Sequence, residues 1–163
     1  MRERSVARHG VVAGVLSATS VAAWFLLTDT LSGRPFFVPA GLGRNFLHLF
    51  RVEQSSGVIV PVLTYTIFHY AVFIAVGVLA SAVAKRSRRD ASILAGAFLL
   101  FAVVEGAFFG FAAFISATTV IGAGAWVQIG IANLIAVAVM GVYLWRAYPY
   151  VPHQLNVALS GRE

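Results

Sequence analysis

The sequence predicts an all-α membrane protein, a four-transmembrane-helix bundle with a short interfacial segment in the first, outer loop. Three observations carry that prediction. Apolar residues make up 60% of the chain and charged residues 11%, with a mean hydropathy of +0.86, so a soluble fold would have nowhere to put its apolar surface. The apolar residues gather into four runs long enough to cross a bilayer. Lys and Arg lie beside those runs, unevenly divided between the two sides. Four spans of about 20 to 28 residues use nearly all of the 163 residues as one membrane domain and leave no room for a separate soluble catalytic domain.

The first run, residues 11–31, follows Arg2, Arg4 and Arg8 as a secretory signal would. Its 21 residues exceed an ordinary signal core, and no small-residue cleavage pattern follows it, so it is expected to stay as the first span. Residues 33–53 are expected at the outer interface. Gly33-Arg34-Pro35-Phe36-Phe37-Val38-Pro39 is apolar but broken by prolines. After it, Phe46, Leu49 and Phe50 fall on one helical face and Arg44, His48 and Arg51 on the other, the pattern of an interfacial helix. The second span covers residues 57–84, with Pro61 in the first turn, where its missing N–H costs least. Lys85-Arg86-Ser87-Arg88-Arg89-Asp90 is too polar for hydrocarbon and separates it from the third span, residues 91–115. The fourth span covers residues 126–145, flanked by Trp126, Tyr143, Trp145 and Tyr148, whose rings suit the headgroup level. Residues 149–163, with Pro149 and Pro152 and little periodicity, are expected to be an irregular tail.

Nine basic residues flank one side of this arrangement (Arg2, Arg4, Arg8, the four of the middle loop, Arg146 and Arg162) and three the other (Arg34, Arg44, Arg51). That asymmetry puts both termini in the cytoplasm of a multi-pass protein, with anionic lipid headgroups on the cytoplasmic side as partners. The net charge of +6 sits next to apolar segments rather than on a soluble face, which argues against nucleic acid. The absence of cysteine excludes disulfides, thiolate metal sites and Cys nucleophiles.

Small and polar residues at spacings of three and four mark inward faces: Gly14, Ser17, Ser20, Trp24 and Thr28 in the first span, Ala102, Gly106, Gly110 and Ala113 in the third, Gly130, Asn133, Val137 and Gly141 in the fourth. Two ionisable residues lie inside spans, His69 and Glu105, and intramembrane ionisable groups are functional candidates. At 1.5 Å per residue, His69, Glu105 and Asn133 fall about 20 to 24 Å from the cytoplasmic boundary, with Trp24 at the same level. A polar layer of Glu105, His69, Asn133 and Trp24, extended by Thr66 and Tyr65, is therefore a candidate site. Its bland counterpart is a set of hydrogen bonds that fixes helix register. At the interface the candidates are His48, Arg44, Arg51 and the pair Asp29 and Arg34, the last expected as a surface ion pair. A haem held by two histidines is disfavoured, since only His69 lies deep in a span; no metal site, cofactor or catalytic constellation is predicted.

Asp29-x4-Arg34-Pro35-Phe36, Tyr65-Thr66-x2-His69, Glu105 and Gly141-x-Tyr143-Leu144-Trp145-Arg146 together resemble a group of small four-span bacterial membrane proteins without an established activity. The resemblance implies a bacterial inner membrane and no chemistry.

Three function classes follow. The favoured one is a non-catalytic accessory or scaffold subunit of a larger membrane assembly, docked through Phe98, Phe101, Phe108, Phe109, Phe111 and Phe114, with a membrane-protein partner or a second copy of the chain. The others are a small transporter or proton-coupled carrier using Glu105 and His69, and a protein or enzyme binding quinone, pigment or lipid, with His48 the first suspect for catalysis.

Overall fold

A computed structural model describes residues 3–52, 57–99, 101 and 123–160. The described residues are helical and contain no strand. Helix α1 is Glu3–Leu31, α2 Phe37–Leu49, α3 Ile59–Arg86, α4 Ala123–Ala147 and α5 Val151–Ser160; residues 92–99 form a further helical stretch. Three of the helices are long and apolar enough to cross a membrane: Ser5–Leu31, Ile59–Arg86 and Val127–Ala147. The chain is a membrane protein on that ground. Most of the expected third span, with Glu105 and the Gly106 to Gly110 seam, lies outside the described residues.

Helix α1 packs against both α3 and α4, while α2 packs against α3. The α1–α3 contact is a close approach of two backbones. A Cβ placed on Gly10 would stand 2.8 Å from the Val78 nitrogen, and one on Gly14 2.6 Å from the Ile74 Cα. From the other side, a Cβ on Gly77 would stand 2.7 Å from the Gly14 nitrogen. Glycines four apart give one helix a flat face on which another can lie. Side chains extend the seam at both ends. Ser81 Oγ donates to the Val6 carbonyl at 2.9 Å, and Tyr70 donates to Thr19 Oγ1 at 2.9 Å because the Thr19 proton is committed to the Val15 carbonyl. Position numbers rise along α1 as they fall along α3, so the two helices are antiparallel.

Helix α4 meets the adjacent face of α1. Ser17 Oγ donates to the Ala136 carbonyl at 3.2 Å, His9 Nδ1 lies 3.1 Å from the Tyr143 hydroxyl, and Val21 packs with Ala132 and Ala136. These pairs also run in opposite senses, so α4 is antiparallel to α1 and parallel to α3. The seam on α4 is thus made by Ala132, Ala136 and Tyr143. Gly141, expected in that seam, is exposed and has nothing within 4 Å of a Cβ among the described residues.

The loops depart further from expectation. The first helix begins at Glu3, well before the apolar run, because a helix need not stop at the hydrocarbon boundary. Between α1 and α3 the chain makes a compact helix. Gly33 at φ 69° and Phe36 at φ 66° reverse the backbone, and α2 then starts with Pro39 in its first turn, where no N–H is lost to the ladder. Phe36 offers no side-chain cap; the Asp29 carboxylate, from the last turn of α1, accepts the Val38 N–H at 2.8 Å instead. Gly43 rests on the Pro61 carbonyl and the Phe46 ring lies 4.7 Å from that of Phe68, so α2 is seated on α3 and does more than lie at an interface. At the far end, residues 151–160 form α5 where an irregular tail is expected. Pro152 occupies its first turn, and the turn before it is closed by Tyr148 N–H on the Leu144 carbonyl at 2.8 Å. Tyr148 is buried and donates to Ser81 Oγ at 2.8 Å, which anchors the α4–α5 junction to α3.

Candidate functional site

Among the described residues, the expected polar residues divide between a cleft and helix-packing positions. His69 is buried, 8% exposed, at the middle of α3. Its Nε2 lies 3.1 Å from the Ala18 carbonyl, so Nε2 carries the proton and donates. Nδ1 then accepts from the Tyr65 hydroxyl, at a long 3.5 Å. The ring is walled by Phe73, 4.7 Å away, and Tyr70, 5.9 Å away. The imidazole, bonded through Nε2 to Ala18, ties α3 to α1 where the glycine seam ends.

Tyr65 and His69 also form one wall of a cleft of about 920 Å³ at the α2 end of the molecule. Apolar rings, Phe25, Phe37 and Phe73, supply much of its surface, and Asp29, Arg34, Asn45, Gln128 and Asn133 supply polar groups. Residues from α1, α2, α3 and α4 therefore converge there. Asp29, expected at the surface, is 6% exposed; its carboxylate sits at the start of α2, where the backbone N–H groups and the helix dipole favour negative charge. Arg34 donates its backbone N–H to the Asp29 carbonyl at 2.9 Å, while its guanidinium lies over the Phe37 ring at 4.5 Å, a cation–π contact in place of the expected ion pair. Gln128 Oε1 is buried and has no hydrogen-bond partner among the described residues. An amide oxygen left that way costs about 1–3 kcal/mol.

The remaining expected residues are scattered. Thr66 returns its proton to the Val62 carbonyl at 2.7 Å on its own helix. Trp24 packs on the Val21, Ala132 and Ala136 cluster, and its Nε1 is buried without a partner among the described residues. His48 and Arg51 are exposed, Arg51 at φ 55° where the chain leaves α2, and Arg44 is half-buried; none of the three lines the cleft. Glu105 lies outside the described residues. Gln128 and Asn45 are the residues sequence reasoning missed. A signal for Gln128 existed: Gln128 and Ala132, like Ile129 and Asn133, stand four apart and share one face of α4.

Among the described residues no cluster of three or more His, Asp or Glu could hold a metal ion. Comparison with family models, curated proteins and solved structures finds no match to this chain, so the site must be read from its own chemistry.

Proposed function

We propose that the protein is a four-span protein of a bacterial inner membrane, with both termini in the cytoplasm, that holds an uncharged, hydroxyl-bearing amphiphile of the quinol type with its headgroup in the cleft at the α2 end. The parallel sense of α3 and α4 supports the fourth crossing. Helix α3 ends beside Val6 and His9, α4 begins at the Asp29 end, and the chain between them has to return the length of a span. The excess of basic residues at the α3 end supports the orientation.

The cleft itself carries the functional reading. Its size falls within the range of small-molecule sites, about 300–1,000 Å³, and its mainly apolar walls with a few convergent polar groups are what such sites use. Asp29 and Arg34 bring opposite charges to the same lining, so among the described residues a charged headgroup would find no net countercharge to offset its removal from water. Gln128 lies in the lining and its amide oxygen has no partner among the described residues, so a turn of its side chain toward the cleft would give a ligand hydroxyl an acceptor. Aromatic walls suit a ring.

The accessory-subunit reading rests on the aromatic third run. Phe98, Leu99 and Phe101 are exposed, but lipid covers such a surface as well as a partner does. Proton carriage by His69 is disfavoured by the commitment of its Nε2 proton to the Ala18 carbonyl.

Titration of the purified protein in mild detergent with decylhydroquinone tests the proposal. Saturable binding is expected, weakened about threefold to tenfold by Gln128→Leu, the worth of one neutral hydrogen bond. Uptake no different from that of empty micelles would remove it.

A further inference from the structure

We infer that the hydrocarbon tail of the cleft's ligand lies in a second pocket on the far side of Tyr65 and His69, a groove cut into the bilayer-facing surface between α1 and α3. The inference rests on the proposed headgroup site and names the tail's place. This pocket measures about 320 Å³. Its floor on α1 is Ala22 and Ala23, both exposed, so two small side chains notch a surface otherwise built from Leu and Phe. Val62 and Pro39 close it from α3 and α2.

The hydroxyls in its wall have their protons committed: Tyr70 donates to Thr19, Thr19 to the Val15 carbonyl and Thr66 to the Val62 carbonyl. What remains is a mainly apolar channel suited to methylenes. The polar cleft and the groove share Val21, Phe25, Val38, Tyr65 and His69, so only the thickness of these side chains separates them. The Tyr65 hydroxyl is held to His69 by a single long contact of 3.5 Å, the weak end of hydrogen bonding, so turning the Tyr65 ring aside gives up little hydrogen bonding. An amphiphile entering from the bilayer would thus pass its headgroup by Tyr65 into the cleft and leave its tail in the groove. Lipid outside the groove solvates a tail equally well, so the groove adds orientation and shape selection more than affinity.

The test uses a hydroquinone with a photoreactive diazirine at the end of a decyl tail, and methylhydroquinone as a tail-less headgroup, on the full chain in lipid nanodiscs. Cross-links are expected at Ala22, Ala23, Leu26, Val62 and Thr66, removed by excess decylhydroquinone and lost in Ala22→Phe or Ala23→Phe, which fill the groove. Methylhydroquinone should bind both variants as it binds the unaltered protein, which also shows that they fold. Cross-links that persist in the filled variants, or that spread evenly to other bilayer-facing positions such as Leu79 and Trp145, would overturn the groove while leaving the headgroup site standing. Failure of methylhydroquinone to bind the unaltered protein would overturn the headgroup site and the groove with it.

Discussion

Replacing Gly77 by alanine should loosen the α1–α3 contact by an amount the geometry fixes. The added Cβ would stand 2.7 Å from the Gly14 nitrogen and 3.0 Å from its Cα, whereas unstrained carbon contacts lie at about 3.5–4.0 Å. Both obstacles are helix backbone and cannot rotate aside. The helices must part by roughly 1 Å there, enough to forfeit a quarter to a half of each dispersion contact nearby. The 3.1 Å bond from His69 to Ala18 and the 2.9 Å bond from Ser81 to Val6 flank the site on either side and would lengthen with it. Overpacking of this kind costs about 1–3 kcal/mol. Gly141→Ala is the control, since Gly141 is exposed on α4 with open space around it and gains only the helix propensity that both substitutions share. Reversible unfolding by SDS in mixed micelles, followed by circular dichroism, should place Gly77→Ala about 1–3 kcal/mol below Gly141→Ala. Equal stabilities, within the ±0.5 kcal/mol scatter of surface substitutions, would refute the close approach.

Other consequences are smaller in compass. Ser81→Ala leaves the buried Tyr148 hydroxyl without its acceptor and should destabilise the protein by about 1–3 kcal/mol in the same assay, with part of the loss recovered on adding Tyr148→Phe. Asp29→Ala removes the acceptor of the Val38 N–H and should cost about 1 kcal/mol, with faster hydrogen exchange at Val38, while Asp29→Asn keeps an acceptor and most of the stability. The Asp90 carboxyl is held below the usual carboxylate range by the Ser92 hydroxyl, then by the Ser92 N–H, with Arg86 adding to both. Its folded-state pKa being depressed, its contribution is present above the ordinary carboxylate value and is lost as pH falls through the depressed one. The Ser92 amide should therefore exchange faster in acid than extrapolation from neutral pH gives, and Asp90→Ala should abolish that extra dependence.

Long apolar runs were legible because length and hydropathy alone decide whether a helix can cross a bilayer; α1, α3 and α4 all contain such a run. The helical seams were harder. In the first span the face of Gly14 and Ser17 is the packing face, as spacing indicates, but the glycine pair that matters is Gly10 with Gly14, met by Gly77. Gly10 stands outside the apolar run as its charged flank defines it, and Gly77 has no glycine four residues away to draw attention to it. The start of α2, and the whole of α5, were obscured by their prolines. A proline in a first turn breaks nothing, but only the turn that precedes it shows that it is a first turn. For α2 that turn depends on Asp29, nine residues before the amide it caps.

Depth counting placed His69 and Asn133 at one level, and both do line the cleft, but depth carries no information about face: Trp24, at the same level, packs on α4 and does not line it. What separates site from scaffold is how completely polar groups are satisfied along the length of the molecule. Near the α3 terminus Ser81 gives its proton to Val6 and takes that of Tyr148, His9 meets Tyr143, and Ser87 returns its hydroxyl to the Ala84 carbonyl. Partners close on one another there, and backbones touch. Toward α2 the same small inventory is spread around a void: the Gln128 oxygen has no partner among the described residues, the Arg34 guanidinium rests on a ring, and Tyr65 makes one long contact. Among the described residues, polar groups are closed on one another at the α3 terminus and less completely paired around the cleft, and that contrast is what supports reading the cleft as the proposed binding end.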